Sequence, residues 1–303
     1  MSFLQTTLIT GSSGSLGSVA SAYFRSLGHD VVRACRTKDD KTVGSNIPLD
    51  VTDFERVMQV VKSVKPALII HLAATFTTEF DAALETNVIG ARNVLEAVRA
   101  AGNGIRVVLV GSAAEYGVVI PEENPVKESH RLRPISVYGL TKAWQTQLGL
   151  MYALQGNDVV IARIFNLDGE EMSERLFVGR VDKQIREIES GNASRIEVGP
   201  LSAIRDYISL EDATCQLAAI SKYGVSGEIY HVASGKPVTM RDLLNQKLKK
   251  SNLTFDIVDE GTSLGSHSGY DVPVAYADVS RIKKLWEEME NEHNQAYGCC
   301  TCF

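Results

Sequence analysis

Positive charge is in short supply. Thirty-one Lys and Arg against 37 Asp and Glu give a formal charge of −6, whereas a nucleic-acid protein usually carries a basic domain or stripe. No apolar run approaches the roughly 18 residues a membrane span needs. The N-terminus enters a strand-like segment with neither a basic n-region nor a long apolar h-region. Only 8 of 303 residues are proline, and 44 % hydrophobic with 22 % charged content marks a globular chain, not a disordered one. The five cysteines are too few and too unevenly placed for a disulfide framework: Cys35 and Cys215 stand alone, while Cys299, Cys300 and Cys302 crowd the end. A reducing compartment, the cytoplasm, is therefore expected, and no metal site is.

What is present is alternation. Short β-branched runs at Thr6–Thr10, Asp30–Cys35, Ala67–Leu72, Arg106–Gly111 and Asp158–Arg163 are nearly continuous in apolar character, which suits strands covered on both faces. Helical patterns lie between them at Ser15–Leu27, Asp53–Val64, Asp81–Ala101 and Tyr138–Gln155. Asp53 and Asp81 are placed as N-caps, Gly28 and Gly102 as stops. This rhythm predicts an α/β fold, a doubly wound parallel sheet of right-handed βαβ units. After Asn166 the rhythm breaks. A helix at about Leu176–Ser190 and the strand Arg195–Val198 precede Glu228–Val232, expected to rejoin the main sheet. A further helix follows near Met240–Lys250, then a Gly/Ser-rich loop at Gly261–Gly269. The expected division is a dinucleotide-binding domain of residues 1–165 and 206–233, a smaller discontinuous substrate lobe of 166–205 and 234–290, and a tail from 291.

The first strand runs into Gly11-Ser12-Ser13-Gly14-Ser15-Leu16-Gly17 and then a helix. Glycines at this spacing let backbone N–H groups approach a pyrophosphate at a helix N-terminus, where the dipole also favours negative charge. A tight turn alone would produce similar glycines, but the position at the first strand–helix junction favours the dinucleotide. An acid at the end of the second strand would bind the bare ribose of NAD; here stand Cys35 and Arg36, with Lys38 close behind. A missing carboxylate and an arriving guanidinium fit a 2′-phosphate, hence NADP(H), with NAD(H) the alternative. Asp50, in Leu49-Asp50-Val51, is placed to accept from the adenine amino group or to cap the next helix.

Tyr138-Gly139-Leu140-Thr141-Lys142 sets a phenol and an ammonium at i and i+4 on one helix face. A phenol titrates near 10, and a neighbouring Lys⁺ together with the positive nicotinamide ring is expected to lower that value toward useful proton transfer. Ser112, ending the fourth strand, adds a hydroxyl for a substrate carbonyl. These motifs, with His71-Leu72-Ala73-Ala74, Asn87-Val88-x-Gly90, Ser112-x-x-x-Tyr116-Gly117 and Arg205-Asp206-Tyr207, resemble the extended short-chain dehydrogenase/reductase superfamily over about residues 4–285. The resemblance implies a catalytic triad of Ser112, Tyr138 and Lys142. It implies a cofactor site lined by Val51, Leu72, Ala73, Ala74, Thr75, Asn87, Tyr138, Lys142 and Ile164 beside the glycine loop, with Lys142 holding the ribose. Asn166 and Arg205 would face a nucleotide sugar, with Ala113 and Arg180 as further substrate candidates, and Glu115 placed either to reach a sugar hydroxyl or to face solvent.

Dehydratases of this superfamily hold an acid–base pair three and two residues before the tyrosine that here is Tyr116; this chain has Ala113 and Ala114 there. Elimination needs a second proton-transfer group beyond the tyrosine, so an epimerase or a reductase is expected. The segments 131–139, 183–191 and 198–207 resemble GDP-4-keto-6-deoxy-mannose reductases. That implies NADPH-dependent reduction of a C4 ketone on a nucleotide-linked 6-deoxysugar, GDP-type. Those enzymes carry arginines just before Asp-Val-Pro, where this chain has His267-Ser268-Gly269-Tyr270 before Asp271-Val272-Pro273, so the base stays open. The alternatives are a 4-epimerase with bound NAD, a reductase of a small non-nucleotide ketone, and a non-catalytic member of the fold. Similar enzymes dimerise through a four-helix bundle, here Asp81–Ala101 and Tyr138–Gln155; a homodimer is expected, with no membrane or nucleic-acid partner. Cys300 holds the place of a prenylation cysteine, but Thr301 is not aliphatic and no basic cluster precedes it, so a mobile exposed tail is expected.

Overall fold

The computed structural model describes residues 5–36, 46–102, 104–261 and 272–297, with side chains to 289. Lys38, His267–Asp271, most of the Gly/Ser-rich loop and the three tail cysteines lie outside the described residues. In chain order the elements begin with β1 (Thr6–Thr10), α1 (Ser15–Ser26), β2 (Asp30–Cys35), β3 (Asn46–Pro48), α2 (Phe54–Val64) and β4 (Leu68–His71). Then come α3 (Phe80–Ala83), a π-helical turn (Leu84–Ile89), α4 (Gly90–Ala101), β5 (Arg106–Ser112), α5 (Val137–Leu154), β6 (Val159–Ile164) and β7 (Asn166–Asp168). The remainder holds α6 (Phe177–Glu189), β8 (Ile196–Val198), β9 (Ile204–Ser209), α7 (Leu210–Tyr223), β10 (Ile229–Val232), β11 (Pro237–Thr239), α8 (Met240–Lys250), β12 (Val258–Glu260), β13 (Val274–Ala275) and α9 (Ser280–Tyr297).

Seven strands form one sheet in the order β10-β6-β5-β4-β1-β2-β3, every neighbouring pair parallel. This is the expected doubly wound Rossmann-type architecture, and β10 does rejoin it. Alternate residues of each strand go to opposite faces. Ile9, Val31, Ile70, Val108 and Val160 pack beneath α1, α7 and α9 through Phe24, Leu217, Ile220, Ile282 and Trp286. Leu8, Val32, Ile69, Leu109 and Ile161 pack against α2, α4 and α5 through Val57, Val61, Leu95, Val98 and Tyr152. Both faces are apolar, so the strands read as continuous hydrophobic runs instead of alternating ones.

The chain reverses direction across the sheet between β1 and β4. After β1 it lays down β2 and β3 on one side, then crosses to β4 on the other. The strand ends at such a switch point leave a crevice, the usual ligand position of open α/β sheets. Beyond it, β9 is the spine of a second sheet, antiparallel to β11 and parallel to β7 and β13, while β12 pairs with β8. The boundary expected between residues 205 and 206 falls inside β9. Its neighbours are two- or three-residue strands drawn from distant segments, too short for a period to register.

Helix boundaries follow capping chemistry. Asp53 accepts the backbone N–H of Arg56 and caps α2 as expected. Ser136 caps α5 by accepting from Gly139 N. Gly28 and Gly102 end α1 and α4 with φ of 87° and 93°, the left-handed region glycine enters most readily. Asp81 is not the expected N-cap: Glu79 precedes α3 without a side-chain cap, and Asp81 sits in its first turn. The helical stretch expected through Ala101 is real but contains the π turn, one residue wider per turn than an α-helix.

Candidate active site

The glycine loop is shaped by what surrounds it. Gly11 has φ 68°, and a Cβ there would lie 2.6 Å from Ala73 N; at Gly17 it would lie 2.4 Å from Gly11 O. The loop is thus pressed against both β4's exit and its own helix. Gly14, by contrast, is exposed and faces open space, its nearest would-be contact being Gly11 O at 3.5 Å. It is the N-cap of α1, with no side-chain cap and no acid in the first turn, so the helix presents uncompensated N–H groups there. Ser13 is exposed, and Ser15 and Leu16 are half-buried beside it. A pyrophosphate fits this cradle.

Ser12 belongs to the scaffold. It is fully buried, its N–H donates to Ala34 O (3.3 Å) and its carbonyl accepts from Arg33 Nη2 (2.5 Å). Its backbone therefore anchors the loop to β2. Cys35 is buried and Arg36 exposed at the end of β2. Asp50 is exposed, with Oδ1 accepting from both N and Oγ1 of Thr52 (3.0 and 2.8 Å), an Asx turn leading into α2. Val51 and Ile164 are buried, packed in the two halves of the core. Leu72, Ala73 and Thr75 are half-buried and Ala74 exposed along the crevice wall.

Asn87 is fully buried in the π turn. Its Oδ1 accepts from Thr75 N (2.8 Å), and its Nδ2 donates to Thr75 O (3.1 Å) and to Thr141 Oγ1 (3.0 Å). It ties the Leu72–Thr75 wall to α5.

α5 carries Tyr138 and Lys142. At Gly139 a Cβ would lie 2.4 Å from Ala114 O, and at Gly149 it would lie 2.7 Å from Leu109 Cδ2. The helix therefore approaches β5 and its following turn more closely than a side chain there would allow. Its first turn brings Tyr138 to Ser112. Ser112 ends β5, and its Oγ accepts from Ala114 N (3.2 Å). Burial pushes the Tyr138 phenol up from its ordinary value; the Ser112 hydroxyl, as hydrogen-bond partner, pulls it down, and the charge of Glu115 adds to the rise. Phe76 packs edge-on against Tyr138, ring centroids 5.0 Å apart.

Lys142 does not behave as expected. It is 2 % exposed, and its Nζ donates to Val110 O and to Gln145 Oε1 (2.6 Å). Burial lowers it to about 8, against a smaller support from Glu115. The shift of the phenol comes from burial, Ser112 and Glu115. At i and i+4 the two side chains share a face, but the ammonium goes inward to the end of β5. His71, beneath, is lowered to about 3, first by burial and then by the charge of Lys142; its Nδ1 pairs with Thr10 Oγ1 at 2.9 Å.

Glu115 is the clearest correction. Expected to reach a sugar hydroxyl or face solvent, it is fully buried: Oε1 accepts from Ser112 N (2.7 Å), and Oε2 from Arg163 Nε and Nη2 (3.0 and 2.7 Å). Ala113 is half-buried beside it. Asn166 is half-buried, its Nδ2 donating to Asp206 O (3.0 Å). Exposed Arg180 on α6 and half-buried Arg205 on β9 both act electrostatically on Tyr207, which burial raises to about 12. Gln145 and Arg163 are buried contributors that sequence reading passed over. A charged residue at the end of the apolar run Asp158–Arg163 was the available signal for Arg163. Among the described residues no group of three or more His, Cys, Asp or Glu is placed to hold a metal ion, and no helix is long and apolar enough to cross a membrane.

A family model described as GDP-mannose 4,6 dehydratase matches residues 8–281. A GDP-6-deoxy-D-mannose reductase of Pseudomonas aeruginosa is 28 % identical over 64 % of this chain and 66 % of its own length, just under two thirds. A UDP-glucose 4-epimerase of Rhizobium leguminosarum bv. trifolii is 26 % identical over 80 % and 84 %. Among solved structures, RMD from Pseudomonas aeruginosa complexed with NADPH superposes with a TM-score of 0.79 at 21 % identity, covering 93 % of this chain and 90 % of that one. The match of the family model over most of the chain, on a fold with the glycine loop at its switch point and Ser112, Tyr138 and Lys142 gathered at the end of β5, places the chain in the extended short-chain dehydrogenase/reductase family of enzymes.

Proposed function

We propose that this chain reduces the C4 ketone of a nucleotide-linked 4-keto-6-deoxy sugar with NADPH, GDP being the first base to test. The observation that carries this reading is the state of the proton-transfer groups. Tyr138 meets the site as a phenol whose protonated form burial favours, suited to giving a proton to a developing alkoxide. Elimination would need a second acid or base, but Ala113 and Ala114 supply none, and the Glu115 carboxylate is engaged by Ser112 N and Arg163. These features support reduction over elimination.

When bound, NADPH supplies hydride to the carbonyl carbon. Ser112 Oγ orients the carbonyl oxygen and Tyr138 Oη protonates it, while the Lys142 ammonium places positive charge beneath the site. The uncapped α1 N-terminus and exposed Gly14 hold the pyrophosphate. Arg36 receives the 2′-phosphate where Cys35 replaces an acid. The lobe built on the β9 sheet holds the nucleotide sugar, with Asn166, Arg180 and Arg205 toward it. Exposed Phe80, Trp144, Met151 and Leu154 on α3 and α5 support a homodimer in which these helices meet their partner copies.

A 4-epimerase is the second reading. Ser15 Oγ donates to Glu171 O (2.8 Å) and Arg175 Nη1 to Phe76 O (2.6 Å). The segment after β7 thereby ties the glycine loop to the wall beside Tyr138, an arrangement suited to a retained cofactor. Assay of NADPH and NADH consumption with 4-keto-6-deoxy nucleotide sugars tests both. Net consumption with NADPH preferred supports reduction; equal or better use of NADH sinks the Arg36 argument.

A further inference from the structure

Beneath the triad lies a buried ion pair that the reduction chemistry does not use directly. Glu115 and Arg163 have side chains 0 % and 1 % exposed. They stand 48 residues apart, on the turn after β5 and on β6, where Arg163 pairs in register with Gly111. One Glu115 oxygen accepts Ser112 N and the other accepts two Arg163 donors. Arg163 Nη1 also donates to the Tyr116 hydroxyl (2.8 Å), which contacts His231 Nε2 in turn. The carboxylate sits so tightly that a Cβ on Gly111 would lie 2.5 Å from Glu115 Oε1.

Such a pair is a weak source of stability, because desolvating two charges offsets their attraction. Its geometric consequence is sharper. Ser112 has its amide tied to Glu115 and its hydroxyl turned to Ala114 N and Tyr138. The same carboxylate acts electrostatically on both remaining members of the triad, Tyr138 and Lys142.

We propose that Glu115, clamped by Arg163, is the positioning residue of this site: it fixes the backbone of Ser112 and supplies the buried negative charge against which the Lys142 ammonium is held. The catalytic consequence rests on the ketoreductase reading above; the placement does not. The titratable groups around Lys142 are Glu115, His71 at the end of β4 and Tyr138 on its own helix. Arg163, Tyr116 and His231 stand behind Glu115, with Glu128 beyond, its Oε1 accepting from His231 N.

The test uses full-length protein labelled with [6-¹³C]lysine, in which the Lys142 signal is identified by its loss in Lys142→Met. In Glu115→Gln the Lys142 titration midpoint moves to lower pH, by about one pH unit, and in Glu115→Asp, which keeps the charge, it stays near wild type. With substrate, Glu115→Gln loses kcat by about 10²-fold while NADPH affinity, read by fluorescence titration, is retained. A folded Glu115→Gln with an unchanged Lys142 midpoint overturns the proposal, whatever its turnover. Should that variant not fold, Glu115→Asp takes its place with the Ser112 amide read by hydrogen exchange: the shorter side chain releases that N–H, so its exchange quickens several-fold, and an unchanged rate overturns the proposal. Wild-type protein that turns over no nucleotide sugar would refute the reductase reading alone, since the lysine titration needs no substrate.

Discussion

At the scale of single residues, the site works by holding protons where burial puts them. Tyr138 is kept protonated and is the one hydroxyl poised between Ser112 and the crevice, so Tyr138→Phe should lower kcat by about 10²- to 10⁴-fold while NADPH still binds; unchanged turnover would discard the mechanism. Lys142, lowered to about 8, carries its charge below that value and loses it above, so kcat should decline as pH rises through about 8. His71 and His231 are both lowered from 6.5 to about 3 by burial. Their contribution to stability is complete above pH 6.5 and is lost as pH falls from there toward 3. Chemical denaturation between pH 7 and 4 should show that decline, and His231→Asn, if it folds, should flatten it. A pH-independent stability would exclude buried neutral imidazoles.

Elements set the distances between those residues. The α1 N-terminus is a compromise: Gly14 leaves it uncapped and open where Asp would cap it. Gly14→Asp should therefore stabilise the fold by a few tenths of a kcal/mol and abolish dinucleotide binding, as a thermal melt and a fluorescence titration on one sample would reveal. A variant that binds NADPH normally would remove the pyrophosphate from this helix end. Much at this scale was legible in the sequence. Ile69-Ile70 and Val107-Val108 announce strands buried on both faces, and Asp53 announces a cap. Other features could not be read. The π turn, in which buried Asn87 lies, hides in a helical period because one extra residue barely disturbs it. The i,i+4 spacing of Tyr138 and Lys142 specifies a shared face but not which acceptor the ammonium takes, and Val110 O with Gln145 took it. Glu115 is adjacent to Tyr116 in sequence, while its partner Arg163 is met only when β5 and β6 pair.

For the whole molecule, the seven-stranded sheet follows from strand–helix alternation, whereas the second sheet joins residues 166–168, 204–209, 237–239 and 274–275, segments whose association no local pattern encodes. That lobe is the least legible part of this chain. Assembly belongs to the same scale. α5 buries Gly139, Lys142, Gln145, Gly149 and Tyr152 toward its own subunit and leaves Trp144 and Met151 at 41 % and 43 % exposure and Leu154 at 90 %. If that face meets a second copy, Trp144→Glu/Leu154→Glu should halve the mass measured by light scattering; a wild-type monomer would refute the bundle. The measurement that bears most directly on the account is NADPH consumption with a panel of nucleotide-linked 4-keto-6-deoxyhexoses. The account predicts one NADPH oxidised per C4 alcohol formed, NADPH favoured over NADH, and loss of both in Tyr138→Phe. Interconversion of C4 epimers without added reductant, and no net NADPH oxidation, would contradict it.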